Sequence, residues 1–392
     1  MKALTWQGKR KLSVEEVPDP VLQEPTDAII RVTSTAICGS DLHLYELFGP
    51  FLAPGDVLGH EPMGIVEETG SAVPGLKPGD RVVVPFNISC GRCHMCNRGL
   101  QSQCETTQVK DKGSGAALFG YTELYGSVPG GQAEFLRVPH ADYGPIKIED
   151  SQAPDEQYLF LSDILPTAWQ AVDYAQIPDG GTLAVFGLGP VGQFAARIGR
   201  HLGHRVIGVD LVPERLDMAR RHGIETLAWG PTVADELRDA TQGRGPESVI
   251  DAVGMEAHGA PAAATAQFAV GLLPDAVAKK LMSTAGLDRL SVLHTAIDAV
   301  ARGGTISLSG VYAGEADPMP MLTLFDKQVT LRMGQCNVRR WIDDLVPLAA
   351  DSSDPLGIGD LVTHTAPLRD APAMYEKFQK KDDGCIKVVL KP

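Results

Sequence analysis

The sequence has no apolar run long enough to cross a bilayer. Its first residues, Met1-Lys2-Ala3-Leu4-Thr5-Trp6, lack the apolar core of a secretory signal. Both absences lead to the expectation of a soluble, cytoplasmic protein. Basic residues are not in excess: 35 Lys and Arg stand against 49 Asp and Glu, a net charge of −14. No basic field is offered to nucleic acid or to an anionic membrane surface, so neither is expected as a partner. An acidic surface is otherwise a common route to solubility. There is no internal repeat and no low-complexity tract. Cysteine is sparse, seven in 392 residues, and in a reducing compartment clustered cysteines are metal ligands more often than disulfides.

What is present is ordinary globular composition, 44% apolar and 21% charged, in a chain too long for one core. Two domains are therefore expected. The first 150 residues are dense in Gly and Pro, with short apolar runs such as Ala28-Ile29-Ile30-Arg31-Val32 and Arg81-Val82-Val83-Val84, which predicts a mostly β domain. From about Thr167 strands alternate with helices. Thr182–Phe186, Arg205–Asp210, Ser248–Val253 and Thr305–Ser309 read as strands, Val191–Leu202 and Pro213–His222 as helices. That alternation predicts a parallel sheet covered on both faces. Leu290 to Val300 has helical periodicity. The Ala-rich stretch from Ala257 to Leu281 is longer than a crossover needs and reads as an insertion. Cys385–Leu390 is expected as a closing strand.

Three motifs carry chemistry. Cys38-Gly39-Ser40-Asp41-Leu42-His43, followed by Gly59-His60-Glu61, puts a thiolate and an imidazole on neighbouring loops, a donor pair that suits zinc. Cys90-x-x-Cys93-x-x-Cys96 with Cys104 beyond can close a tetrahedral shell with no open position, a structural zinc site. An iron–sulfur cluster and two disulfides are the alternatives, and His94 inside the loop is surplus to four cysteines. Gly187-Leu188-Gly189-Pro190-Val191-Gly192 follows a strand and opens a helix, the context in which a glycine turn cradles a pyrophosphate. Asp210 ends the next strand, where a carboxylate accepts from a ribose 2′-OH and favours NAD over NADP; a helix-capping role is the alternative. Arg215 is placed to reach the adenosine edge, or is an exposed helix arginine.

Together these residues resemble the zinc-dependent medium-chain alcohol dehydrogenase family, over essentially the whole chain. The resemblance implies an α/β protein. A GroES-like, mostly β catalytic domain spans residues 1–165 and 335–392, with the structural zinc lobe at about 88–106. A Rossmann doubly wound parallel-sheet domain spans 166–334, with the insertion at about 255–285. It implies two zinc ions per chain, one catalytic and one structural, and NAD. It also implies a third protein ligand to the catalytic zinc, often a cysteine after the structural lobe. No cysteine stands there, since Cys336 and Cys385 come far too late. The matching stretch, Phe160 to Thr167, looks like the branch of glutathione-independent formaldehyde dehydrogenases and formaldehyde dismutases, in which an aspartate serves. Asp163 is therefore expected beside Cys38 and His60, with Glu61 as the alternative ligand or as a tuning group. In that branch the insertion folds over the cofactor and retards its release. Many relatives place an arginine directly after the first zinc cysteine, where this chain has Gly39. Lys387, at a family position that contacts the cofactor phosphates, is expected to carry more of that charge, or is a surface lysine. Val253, Gly310 and Val311 complete the cofactor-contact set that the resemblance implies.

The implied chemistry is hydride transfer between NAD and a small alcohol or aldehyde, with the proton leaving through Ser40, the cofactor ribose and His43. Formaldehyde or a formaldehyde adduct is the leading substrate. A dismutase with retained NAD and a polyol or sugar dehydrogenase are alternatives, and a non-catalytic NAD-binding protein is the reading from a different class. Tyr45, Phe48, Phe51, Trp169 and Met333 are candidates for the substrate wall. Subunits of the family pair through their Rossmann sheets, so a homodimer or homotetramer is expected, with Val329–Arg332 as the pairing edge.

Overall fold

The computed structural model describes residues 1–149, 152–254, 290–312 and 316–392. The expected insertion at about 255–285 lies outside the described residues. The chain divides into two compact units, Met1–Pro166 with Cys336–Pro392, and Thr167–Gln335. Among the described residues no helix is long and apolar enough to cross a membrane.

The first unit is built on a seven-stranded sheet in which Ala28–Ile37 is the hub. It pairs antiparallel with Glu61–Thr69, Phe135–Val138 and Val388–Lys391. Its sequence, AIIRVTSTAI, is β-branched and apolar, and Ala28, Ile30 and Val32 enter a core with Val66, Val82 and Leu136. Register matters most at one end. Ala36 sits opposite Glu61, and Ile37 opposite Val388. Three separated pieces of sequence, around 38, 60 and 387, therefore meet at the same end of three adjacent strands. A backbone bond of 3.0 Å from the Phe86 N–H to the Ser162 carbonyl ties in a fourth, the turn that ends at Asp163. The expected closing strand starts later than predicted, at Val388. Just before it, the backbone N–H groups of Ile386 and Lys387 donate to the Thr363 hydroxyl rather than to a neighbouring strand.

The second unit carries a six-stranded, all-parallel sheet. The strands run in the order Glu225–Ala228, Arg205–Asp210, Thr182–Phe186, Ser248–Asp251, Thr305–Leu308, Thr330–Met333. Numbered along the chain this is 3-2-1-4-5-6, the doubly wound order, with its switch point between the first and fourth strands. Thr182–Phe186 is buried along its whole length, as an interior parallel strand must be. The helix after it, Pro190–His201, starts with Pro at its first position, where no backbone N–H is needed, and buries nine of its residues. The next helix, Pro213–Arg221, ends just before Gly223 at φ +70.

Candidate functional sites

The register in the first unit collects a buried, polar cluster. Cys38, His60, Glu61 and Asp163 each offer one ligand atom, and these atoms all lie within 4.8 Å of one another. Asp163 Oδ2 is 3.4 Å from Cys38 Sγ and 3.3 Å from His60 Nε2. Tetrahedral zinc with bonds of about 2.0–2.3 Å has ligand–ligand edges of roughly 3.3–3.8 Å, so this trio fits around one ion. The charge inventory points the same way. Asp41, Glu61 and Asp163 are all buried beside a thiol, with His60 and Lys387 as the cations among them. Buried carboxylates in excess call for a further positive charge. Burial first, then Asp163 and Glu61, push the Cys38 thiol up to about 11. Burial pulls His60 down, but Asp41, Asp163 and Cys38 outweigh it and raise the imidazole well above its ordinary value.

His60 is aimed by a group that sequence reasoning did not single out. Asp41 Oδ1 lies 3.0 Å from His60 Nδ1, which leaves Nε2 for a metal. The other oxygen, Oδ2, accepts from the Cys38 backbone N–H at 2.9 Å, so one carboxylate positions both candidate ligands. Asp41 was visible in the motif, but its partner comes from a separate segment, the residue just before strand Glu61–Thr69. Ser40 Oγ is 3.1 Å from His60 Nε2. His43 follows three residues on in the same helix, Gly39–Glu46, and stacks on Phe48 with ring centroids 6.2 Å apart. Phe86 and Tyr121 each set a ring edge-on to His60 at 6.3 Å, and neither was among the expected wall residues. Of those residues Tyr45 and Phe48 are buried in this unit, whereas Met333 is exposed on the outer strand of the other.

Lys387 departs from both expectations made for it. It is neither a surface lysine nor an amine held ready for phosphates. The side chain is fully buried, and Nζ donates to Glu61 Oε1 at 2.6 Å. The cause is register: Val388 pairs with Ile37 and Glu61 with Ala36, so the residue before Val388 arrives beside Glu61. Burial lowers Lys387, and the Glu61 charge more than restores it.

The four-cysteine lobe forms a second cluster. Cys93 and Cys104 sulfurs are 3.9 Å apart, close to the ~3.8 Å edge of a zinc tetrathiolate, and no cysteine is in a disulfide. The backbone N–H groups of Cys90, Cys96 and Glu105 and the Thr106 hydroxyl point at the sulfurs. Burial opposes ionisation of Cys90, but the Thr106 hydroxyl and neighbouring N–H groups bring it down to about 6. His94 is exposed, and its backbone N–H donates to Glu105. The lobe is anchored by Asn337, whose Oδ1 accepts from both the N–H and the hydroxyl of Ser102.

In the second unit the glycine turn closes over the sheet end. Gly187 adopts φ +85, and a Cβ at Gly192 would lie 1.7 Å from the Gly187 carbonyl oxygen, so both positions exclude other residues. Asp210 Oδ2 accepts from the Leu188 N–H at 2.6 Å and Oδ1 from the Val212 N–H at 2.8 Å. Its carboxylate therefore supports the turn itself and retains lone pairs for a ribose hydroxyl. Arg215 lies against Gly189 with Nη1 3.7 Å from Asp210, and is mostly buried rather than exposed. Val253 packs on Gly187, and Gly310 and Val311 approach Gly254 so closely that a Cβ on Gly310 would meet its backbone nitrogen at 2.2 Å. Asp251, also missed by the sequence reading, holds this second loop. It accepts from the N–H groups of Val253 and Gly254 and from the Tyr312 hydroxyl.

These sites are matched by known proteins. Residues 24–148 match the alcohol dehydrogenase GroES-like domain, and residues 190–268 the zinc-binding dehydrogenase domain. The uncharacterized zinc-type alcohol dehydrogenase-like protein AdhB of Bacillus subtilis is 42% identical over 399 residues, with all of both chains covered. Formaldehyde dismutase of Pseudomonas putida is 37% identical over 333 residues, covering 82% of this chain and 77% of that protein. The solved structure of an alcohol dehydrogenase from Thermus superposes with a TM-score of 0.82 at 34% identity, covering 100% of this chain and 99% of that one. The chain belongs to the zinc-dependent medium-chain alcohol dehydrogenase family and is a zinc- and NAD-linked oxidoreductase.

Proposed function

We propose that the protein transfers hydride between NAD and a small alcohol or aldehyde, with formaldehyde or a formaldehyde adduct as the leading substrate. Cys38, His60 and Asp163 hold the catalytic zinc, and Cys90, Cys93, Cys96 and Cys104 the structural one. The observation that carries this reading is the placing of Asp163 Oδ2 at tetrahedral-edge distance from both Cys38 Sγ and His60 Nε2. Glu61 is the lesser candidate for third ligand because Lys387 already occupies one of its oxygens. Zinc in such a site supplies Lewis acidity toward an alcohol or carbonyl oxygen. The chain's own part is to orient and to move a proton. Asp41 fixes the imidazole of His60 through Nδ1. Ser40, whose hydroxyl both accepts and donates, takes the substrate proton and passes it toward His43. Phe86 and Tyr121 beside His60 favour a small substrate.

Two outcomes test the assignment. Asp163→Asn weakens the third ligand, and we expect metal affinity or kcat to fall by about 10- to 100-fold. Full zinc occupancy with normal kinetics would move the role to Glu61. Asp210→Ala removes the acceptor for the ribose and an acceptor for the glycine turn. The ratio of kcat/KM for NAD over NADP is expected to drop at least about tenfold, a change of roughly 1.4 kcal/mol in discrimination. An unchanged ratio would point to another ribose partner.

A dismutase reading is favoured by the 37% identity to formaldehyde dismutase. NAD that co-purifies in stoichiometric amount, with turnover of formaldehyde needing no added cofactor, would select it. A homo-oligomer is proposed from the outer strand Thr330–Met333 and the exposed Met321, Leu322 and Phe325 just before it. Light scattering in solution measures it.

A further inference from the structure

Behind His60 a chain of buried polar groups runs to the C-terminal helix. The Tyr375 hydroxyl, on the fully buried side chain of helix Ala371–Lys380, donates to Gln132 Oε1 at 2.8 Å. Gln132, also fully buried, turns Nε2 toward the Ala36 carbonyl at 3.2 Å and Asp41 Oδ2 at 3.4 Å. Asp41 in turn holds His60 Nδ1 through its other oxygen. The chain has a direction. An amide can be flipped, and the flipped Gln132 would set Oε1 against a carboxylate and a carbonyl, oxygen facing oxygen. The carbonyl and carboxylate, which only accept, select the orientation, and the Tyr375 hydroxyl donates to the buried Oε1 that this leaves facing it, locking the amide in place.

We propose that Tyr375 and Gln132 are positioning residues for the catalytic metal site: together they fix the Asp41 carboxylate, and through it the angle at which His60 presents Nε2. Neither residue touches the reacting atoms. The inference rests on the assignment of Cys38, His60 and Asp163 as zinc ligands. Groups that hold a metal-ligating histidine by its second nitrogen set its tautomer and ring orientation, and losing them costs about 10- to 100-fold in affinity or activity. A group two hydrogen bonds further out should cost less, in the range of about three- to tenfold.

The test is chelator-driven zinc release from the purified full-length enzyme, followed with a coloured chelator, for wild type, Tyr375→Phe and Gln132→Leu. Wild type should release zinc in two phases, one from each cluster. In Tyr375→Phe the phase belonging to Cys38, His60 and Asp163 should be about three- to tenfold faster, with the phase of the four-cysteine lobe unmoved as an internal control. kcat should fall by a similar factor, with KM for NAD unchanged. Gln132→Leu should show the same pattern with a larger effect, and adding Tyr375→Phe to it should bring little more, because both act through one carboxylate. If Tyr375→Phe lowers the unfolding temperature but leaves both release phases and kcat unchanged, the hydroxyl is only a core hydrogen bond and the proposal falls. A single zinc ion in wild type, held by the cysteine lobe, would instead defeat the metal-site assignment, which is a separate failure.

Discussion

Cys38→Ser is expected to leave one zinc ion per chain instead of two and to lower kcat/KM by about a thousandfold or more, at least ~4 kcal/mol of transition-state stabilisation. The reason lies in what the pocket does to a donor. Even a thiol is pushed up to about 11 there by burial and by the charges of Asp163 and Glu61. Only a strong cation can draw a thiolate out of that environment. A serine hydroxyl is far less acidic and a harder donor, so it stays protonated and binds zinc poorly. Of the remaining donors, His60 and Asp163 are too few to close a site that keeps a position for substrate, and Glu61 is engaged by Lys387. Elemental analysis after dialysis, alongside steady-state rates with NAD, measures both halves of the expectation. The four-cysteine lobe should keep its ion, because it shares no residue with this cluster. Two zinc ions with near-normal turnover in Cys38→Ser would remove the metal from the mechanism.

Lys387→Met is expected to cost about 3–5 kcal/mol of stability, the usual penalty for leaving one member of a buried ion pair alone. Glu61 and Lys387 are both without solvent exposure and meet at 2.6 Å. The ammonium also lies 5.6 Å from the centre of the Phe160 ring. Burial already raises Glu61, and the Lys387 charge is what pulls against that rise. Without the lysine, Glu61 must take up a proton or remain a bare buried anion. In a unit of this size the loss should appear as a fall of roughly 10 °C in the unfolding midpoint. The double variant Glu61→Gln with Lys387→Met removes the orphaned charge and should recover much of it, since the cost arises from the unpaired partner rather than from the pair's absence. Thermal unfolding of the wild type, both single variants and the double variant closes the cycle. Equal midpoints for Lys387→Met and wild type would mean that the pair contributes nothing.

The buried lysine also shows where reading in one dimension stopped. Nothing in Cys385-Ile386-Lys387-Val388-Val389-Leu390 says what residue 387 touches, because all six residues are buried and only the strands beside them decide which partner each one meets. Pairing of Val388 with Ile37 decides that. The same limit applies to Asp41. It stood inside a motif of obvious interest, yet a carboxylate three residues from a cysteine has several common uses, and only the approach of His60 from a distant segment selects one. Phe86, Tyr121, Gln132 and Tyr375 carried no signal at all, since aromatic and amide side chains at such spacings are ordinary core. Asp251 was in plain view at a strand end, as Asp210 was, but lacked a glycine fingerprint to mark it.

Local order was far more legible. The alternation of apolar strands with amphipathic helices from Thr182 onward required a parallel doubly wound sheet, because a period of two followed by a period of 3.6 admits few packings. The glycines at 187 and 192 had to be glycine: one takes a left-handed backbone, and the other leaves no room for a Cβ. Four cysteines within fifteen residues had to meet, since so short a loop keeps them at metal-binding range whatever surrounds it. Contacts across long separations in sequence belong to the tertiary structure instead. Residues 38, 61, 163 and 387 are brought together by strand register and by one turn, and the free energy that selects a register is spread over the whole sheet rather than written at any of those four positions.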